Sequence, residues 1–103
     1  MDFEWDEAKN QTNKAKHGVR FEEASKIFRN PVLEKEDKRR DYGEPRYVVL
    51  CPLQDVLVHV TYTVRGGNIR LISARRASRR EKRDYERRKA DQSRADAGRP
   101  RAH

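Results

Sequence analysis

The chain has 103 residues, with 25 Lys and Arg against 17 Asp and Glu, a formal net charge of +8 and an apolar fraction of only 34%. That length gives one domain, and an apolar fraction below the globular norm of about 45–50% gives it a small core. No apolar run approaches the roughly 18 residues of a membrane span, and a single cysteine, Cys51, excludes an intramolecular disulfide and a cysteine-based zinc cluster.

Met1 to Trp5 alternates apolar and acidic side chains, the pattern of a short first strand. This acidic, aromatic start lacks the basic head and apolar stretch of a secretory signal, so the expectation is a cytoplasmic protein. Asp6 is placed to cap a helix over Glu7–Lys16. Gly18 supplies its left-handed stop, with Lys16 and His17 putting positive charge in the last turn. Phe21, Ala24, Ile27 and Phe28 fall at helical spacing and predict a second, amphipathic helix over Phe21–Arg29, ended by Asn30-Pro31. Val32 to Lys38 reads as a polar edge strand, followed by a turn through Gly43.

Then the period changes. Tyr47–Cys51 is a near-continuous apolar strand, Pro52–Asp55 a hairpin turn, Val56–Arg65 a long β-branched strand, Gly66-Gly67-Asn68 a tight turn and Ile69–Arg75 a further strand. These three strands form an antiparallel meander. Ser78-Arg79-Arg80-Glu81 is a capping box opening a last helix to about Ala90, which has almost no apolar face beyond Tyr85. Such a helix frays or leans on a partner. Residues 1–90 thus form an α+β domain, a small antiparallel sheet with two N-terminal helices and one C-terminal helix. Residues 91–103 read as a basic disordered tail.

Charge divides the chain. Residues 1–45 carry 10 basic and 11 acidic groups, residues 46–103 carry 15 and 6, and Arg75–Lys89 packs nine cations against three acids. The second half therefore looks like a surface for a polyanion or an acidic partner. On the long strand, Val56, Val58, Val60, Tyr62 and Val64 alternate with Leu57, His59, Thr61, Thr63 and Arg65, giving one face for a core and one of His, Thr and Arg. On the next strand Ile69, Leu71, Ser73 and Arg75 share one face and Arg70, Ile72, Ala74 and Arg76 the other. Strand register decides which arginines join His59, and sequence does not give it. Arg79 and Arg80 stand in the first turn of their helix, where the macrodipole disfavours cations, and read either as an anion site or as solvated charges offset by Glu81. His17, His59 and His103 have no ligand spacing, so no metal or other cofactor is expected. Cys51 reads as core filler, and His17 as a helix cap or a base.

Trp5-Asp6, Lys9, Asn13, Lys16-His17-Gly18-Val19 and Phe21-Glu22-Glu23-Ala24 resemble, in order and spacing, the opening signature of the BrnT family of bacterial toxins. Arg46, then His59-Val60-x-Tyr62-Thr63-x-Arg65, then Arg70–Ala77, then Glu81 and Tyr85 continue the resemblance over about residues 2–88. Val64 stands where an acidic residue is expected, and residues 32–45 match poorly.

The resemblance implies a RelE-like fold and the toxin half of a type II toxin–antitoxin system, an endoribonuclease that arrests translation. It also implies a ribbon–helix–helix antitoxin of the BrnA type, a heterotetramer joined through antitoxin dimers, and operator DNA bound through the antitoxin. Metal-independent cleavage by the RNA's own 2′-hydroxyl needs a base, an acid and cations on the phosphate. The candidates are His59 as base or acid, with His17 and Lys16 next, and Arg65, Arg75 and Arg76 on the phosphate. Lys16, Arg46, Arg70, Arg79 and Arg80 are candidate RNA contacts, Glu81 and Ser78 orient or cap, and Tyr85 packs or stacks on a base. The competing reading is a noncatalytic basic module that binds nucleic acid, or an inactive toxin fold that serves only antitoxin pairing and operon repression.

Overall fold

The computed structural model describes residues 2–29 and 33–97. In chain order the elements are β1 (Phe3–Glu4), α1 (Glu7–His17), α2 (Phe21–Ala24) continued by a 3-10 turn (Ser25–Arg29), β2 (Leu33–Glu36), β3 (Tyr47–Leu53), β4 (Val56–Arg65), β5 (Asn68–Arg76) and α3 (Arg79–Ala97). The expected α+β class is the one observed. The sheet is larger than the meander alone, five strands in the order β1-β5-β4-β3-β2. It is also mixed rather than antiparallel, because β1 runs parallel to β5, with Phe3 beside Ile69 and Glu4 beside Arg70. Hairpin signals report only neighbours in sequence, and this pair joins opposite ends of the domain.

Local chemistry sets the helix ends. The Asp6 carboxylate accepts from the amides of Ala8 and Lys9 at 2.9 and 3.2 Å, and Gly18 closes α1 at a φ of 71°. Arg20 gives α2 no side-chain cap. The cap comes instead from α1, where Asn10 Oδ1 accepts from the Phe21 amide at 2.9 Å. The second helix tightens into a 3-10 turn after Ala24, where the Ser25 hydroxyl donates to the Glu22 carbonyl. The expected stop at Asn30-Pro31 lies outside the described residues.

Asn13 performs a related task for the sheet. β1 is so short that the outer edge of β5 is open beyond Arg70, and an open edge leaves backbone groups unpaired. Asn13 donates to the carbonyls of Ala74 and Val19 at 2.6 and 2.8 Å and accepts from the Ala74 amide at 3.2 Å, so its side-chain amide stands in for a missing strand. The buried half of the opening signature is therefore scaffold. Asn13→Leu is expected to lower stability by about 3 kcal/mol, since three backbone groups lose their partner in a dry environment. The check is a lower urea midpoint at unchanged m.

The core lies between the helices and one sheet face. It is built from Val19, Phe21, Ala24, Ile27, Val49, Val58, Val60, Tyr62, Ile69, Leu71 and Ala74. Val64, expected among these, is 46% exposed, because the core ends before the Gly66-Gly67 turn. Thr63, expected on the open face, is buried there by the loop before β3, its hydroxyl donating to the Pro45 carbonyl at 2.6 Å.

The decisive departure from simple alternation is in β5. Thr61 pairs with Ser73 but Tyr62 pairs with Leu71, so Ile72 is an extra residue, a β-bulge. Leu71 and Ala74 consequently both face the core. Ser73 and Arg75 turn to the open face, opposite Thr61 and His59, while Arg76 pairs with Val58 on the helix-covered side. The single alternation expected along β5 therefore holds on each side of the bulge but breaks across it: Ile69 and Leu71 do not share a face with Ser73 and Arg75.

The last helix is longer than expected. α3 runs to Ala97 rather than Ala90, so residues 91–97 are helix and not tail. Lys89 to Ala97 contains neither Gly nor Pro, and the first breakers are Gly98 and Pro100. Residues 98–103 of the expected tail lie outside the described residues. Along α3 as far as Asp91 only Glu81, Tyr85 and Arg88 are half-buried.

Candidate active site

The open sheet face and the first turns of α3 enclose a cleft of about 710 Å³. Its floor carries His59 on β4 and Arg75 on β5, cross-strand partners made neighbours by the bulge. Glu81 reaches them from α3. Arg75 donates from Nη1 and Nη2 to the two Glu81 oxygens at 2.7 and 2.8 Å, a bidentate fork. The capping box holds the carboxylate from behind. The Ser78 amide donates to Glu81 Oε1 at 2.8 Å, and the Glu81 amide donates to Ser78 Oγ at 3.1 Å. His59 Nε2 lies 3.6 Å from Glu81 Oε2. Nδ1 of the same ring is buried with no partner.

This packing sets the charge states. Arg75, the Ser78 amide and His59 hold the Glu81 carboxyl at about 2, well under its ordinary value. Burial, with the Arg75 charge behind it, lowers His59, while Glu81 pulls the other way. The site at neutral pH is an uncharged imidazole beside a closed ion pair. Glu81 has its ordinary affinity for protons in the unfolded chain and a lower one when folded, so it stabilises the fold above about pH 4.5 and that contribution is lost as pH falls toward about 2. Glu81→Gln is expected to be less stable than wild type at pH 7, by about 1–2 kcal/mol for a weakened cap and ion pair. The gap should close on acidification, which paired denaturation curves at pH 7 and pH 3 would show.

Of the residues singled out from sequence, His59, Arg75, Glu81 and Ser78 converge and the others do not. Arg76 emerges on the other side of the sheet. Arg65 lies six residues from His59 along β4, roughly 20 Å away, and is forked onto Glu44 at 2.9 and 3.0 Å. Arg70 pairs with Thr63 and lies 3.7 Å from Glu4. Arg46 sits beside this row, its guanidinium 4.1 Å from the centre of the Tyr42 ring and its Nε buried without a partner. Lys16 and His17 border a separate hollow of about 340 Å³ over α1, with Lys9, Thr12, Asn13 and Ile72. Arg79 and Arg80 are exposed on α3 and do not line the cleft. Tyr85 is half-buried.

The cleft also has walls that sequence reasoning passed over. Lys35, Glu36, Asp37, Lys38 and Arg39 come from β2 and the loop after it, and Asp84, Arg87 and Arg88 from α3. With Arg75 and Glu81 the lining holds six cations and four carboxylates, all counted among the described residues. The α3 residues fall at positions three, six and seven after Glu81, one helical stripe, and that spacing was the available signal. The loop offered none. No group of three or more His, Cys, Asp or Glu side chains among the described residues is placed to hold a metal ion. No helix among the described residues is long and apolar enough to cross a membrane.

A basic cleft with a neutral histidine and an orienting ion pair suits chemistry on a phosphodiester, and the comparison with known families decides the class. A family model described as ribonuclease toxin, BrnT, of type II toxin-antitoxin system, matches residues 5–81. The chain belongs to the BrnT family. No curated protein matches it at significant similarity. As a BrnT toxin it is the ribonuclease member of a type II system, and such a system includes an antitoxin partner. The match begins at Trp5 and ends at Glu81, so it takes in the Asn10–Asn13 scaffold and all of the His59–Arg75–Glu81 constellation. Most of α3 lies beyond it.

Proposed function

We propose that this BrnT toxin is a metal-independent endoribonuclease and that the His59–Arg75–Glu81 cleft is where it cuts. His59 Nε2 takes the proton of a ribose 2′-hydroxyl, which requires the neutral ring to carry its own proton on Nδ1. The 2′-oxygen forms a bond to the adjacent phosphorus and the P–O5′ bond breaks. The 5′-oxygen takes a proton from solvent, leaving a 2′,3′-cyclic phosphate and a 5′-hydroxyl, and His59 returns its proton to solvent. Glu81 faces the imidazolium as it forms and favours it.

Arg75 supplies positive charge to the phosphorane. A guanidinium has five N–H donors. Glu81 and the Arg76 carbonyl engage two on Nη1 and one on Nη2, so Nε–H and the second Nη2–H are left for phosphate oxygens. The observation that carries the reading is this orientation of Arg75 by Glu81 directly beside a neutral, half-buried histidine. Both Glu81 oxygens are already engaged, which leaves little donor capacity for a metal. The Arg46–Thr63–Arg70 row on the same sheet face is a second contact for the RNA backbone, while Lys16 over α1 and Arg79 and Arg80 on α3 offer separate, more distant contacts.

The partner is a ribbon–helix–helix antitoxin of the BrnA type. It covers the basic sheet face and α3, assembles with the toxin as a heterotetramer in the cytoplasm, and carries the complex to operator DNA. An α3 with so little apolar surface supports a role in which a partner completes it.

The test is induced expression of the chain with and without the neighbouring antitoxin, followed by RNA cleavage in a chelator. Growth arrest relieved by the antitoxin, with cleavage that survives the chelator, is expected. Cleavage abolished by the chelator would reject the metal-free mechanism. A chain that neither slows growth nor cuts RNA would be the noncatalytic module.

A further inference from the structure

Asp37 is buried at the start of a surface loop, its side chain only 4% exposed, yet every bond it makes serves a neighbour that is not buried. Its carboxylate accepts from Arg39 Nε and Nη2 at 2.9 Å each, from the Arg39 amide at 3.1 Å and from the Tyr42 hydroxyl at 3.1 Å. Its own amide donates to the Arg46 carbonyl at 2.7 Å, and the Arg46 guanidinium lies on Tyr42. The Arg39 side chain is 80% exposed. An ion pair with one exposed partner adds little stability. Burying a carboxylate to fix one exposed guanidinium is explained better by where that guanidinium is held.

It is held at the cleft. Arg39 lines the same space as His59, Arg75 and Glu81, from the wall opposite α3. The clamp occupies Nε and one side of Nη2, leaving Nη1 and the second Nη2 hydrogen open. Its charge reaches the floor, where it opposes protonation of both His59 and Arg75. The floor itself is electrically closed, with Arg75 balanced by Glu81 and His59 uncharged. A phosphorane gains negative charge that such a floor only partly meets. Of the other wall cations, Lys38 reaches Glu36 at 3.9 Å from a side chain that is 79% exposed, a point charge rather than an oriented fork.

We propose that Arg39 is a second RNA-phosphate ligand of this active site, and that Asp37 is the residue that positions it. The inference rests on the ribonuclease reading of the cleft for its rate effect, but not for its binding effect.

The test uses the full chain made by cell-free synthesis, with two readouts. One is affinity for an RNA oligonucleotide carrying 2′-deoxy substitutions, which cannot be cut. The other is kcat and KM on the cleavable RNA. Arg39→Gln is expected to weaken oligonucleotide binding severalfold and to lower kcat roughly 10- to 100-fold. Arg39→Lys should restore binding but not kcat, because a lysine keeps the charge and loses the fork. Asp37→Asn should lower kcat with little change in binding, since the charge stays and its orientation goes.

Thermal melts accompany each variant. The double Asp37→Asn/Arg39→Gln variant leaves no unpaired buried carboxylate and keeps the test valid if Arg39→Gln alone unfolds. Lys26→Ala, which removes a cation paired with Glu23 on the helical side, is the control and should match wild type. If folded Arg39→Gln or the double variant binds and cuts like Lys26→Ala while Arg75→Ala is inactive, Arg39 is not a ligand and the ribonuclease reading stands. If wild type cuts no RNA, that reading falls and binding alone decides. Binding lost with Arg39→Gln keeps Arg39 as a phosphate ligand, and binding unchanged overturns it.

Discussion

Arg75→Ala is expected to abolish growth arrest and to slow RNA cleavage by about 10³-fold. Two losses coincide. On the proposed mechanism the phosphate loses its guanidinium, and Glu81 loses the partner that fixes both its oxygens. Arg75→Lys should recover little, since an ammonium cannot fork onto the carboxylate and present further donors together. Arg76→Ala, one residue on, should retain most of the activity, because Arg76 leaves the sheet on the side away from the cleft. Initial rates on one RNA substrate, with thermal melts to show that each variant is folded, separate these outcomes. Equal loss in Arg75→Ala and Arg76→Ala would reject the face assignment.

His59→Gln is expected to lower kcat/KM by about 10²–10⁴-fold and to remove the acid limb of the pH–rate profile. In the wild type that limb should have its midpoint below 6.5, because burial and Arg75 oppose protonation of the ring and the base form persists into mildly acidic solution. Glu81→Gln should move the limb further to the acid side. Its carboxylate is the neighbour that favours the imidazolium, and the amide removes that support. A limb that stays in place with Glu81→Gln, or survives in His59→Gln, would assign the titrating group elsewhere, with His17 the next candidate.

What was legible in the sequence is what short-range chemistry determines. Asp6, Gly18 and the Ser78–Glu81 box each act within a few residues, and each ends its helix where its composition indicates. The meander follows from strand periodicity and two short turns, and His59 was recognisable as the polar member of an apolar strand. The β1–β5 pair was not legible, because no local pattern reports a parallel partner more than sixty residues away. Arg65 resembled a site residue because it alternates onto the face of His59, and Arg70 because it is a cation on the neighbouring strand, yet each has its own carboxylate at the far end of the sheet. Asp37 and Arg39 were invisible for the opposite reason. A two-residue clamp in a polar loop has no periodicity, and only the burial of Asp37 distinguishes it from ordinary surface charge.

Ile72 has a consequence beyond its own place in the sheet. It acts as a frame shift written in space: before it the odd-numbered residues of β5 belong to the interior, and after it the even-numbered ones do. Arg75 and Arg76 are chemically identical, so nothing in their own side chains decides which lies beside His59 and which on the other face. That choice is made three residues upstream, by the parity of the strand. Were the strand to run on without the bulge, Leu71 still opposite Tyr62, Ala74 would fall opposite His59, Arg75 would lie opposite Val58 on the helix-covered side, and Arg76 would take the open face in its place. The pairing of His59 with Arg75 is therefore encoded less in the charged residues than in the place of the bulge that precedes them.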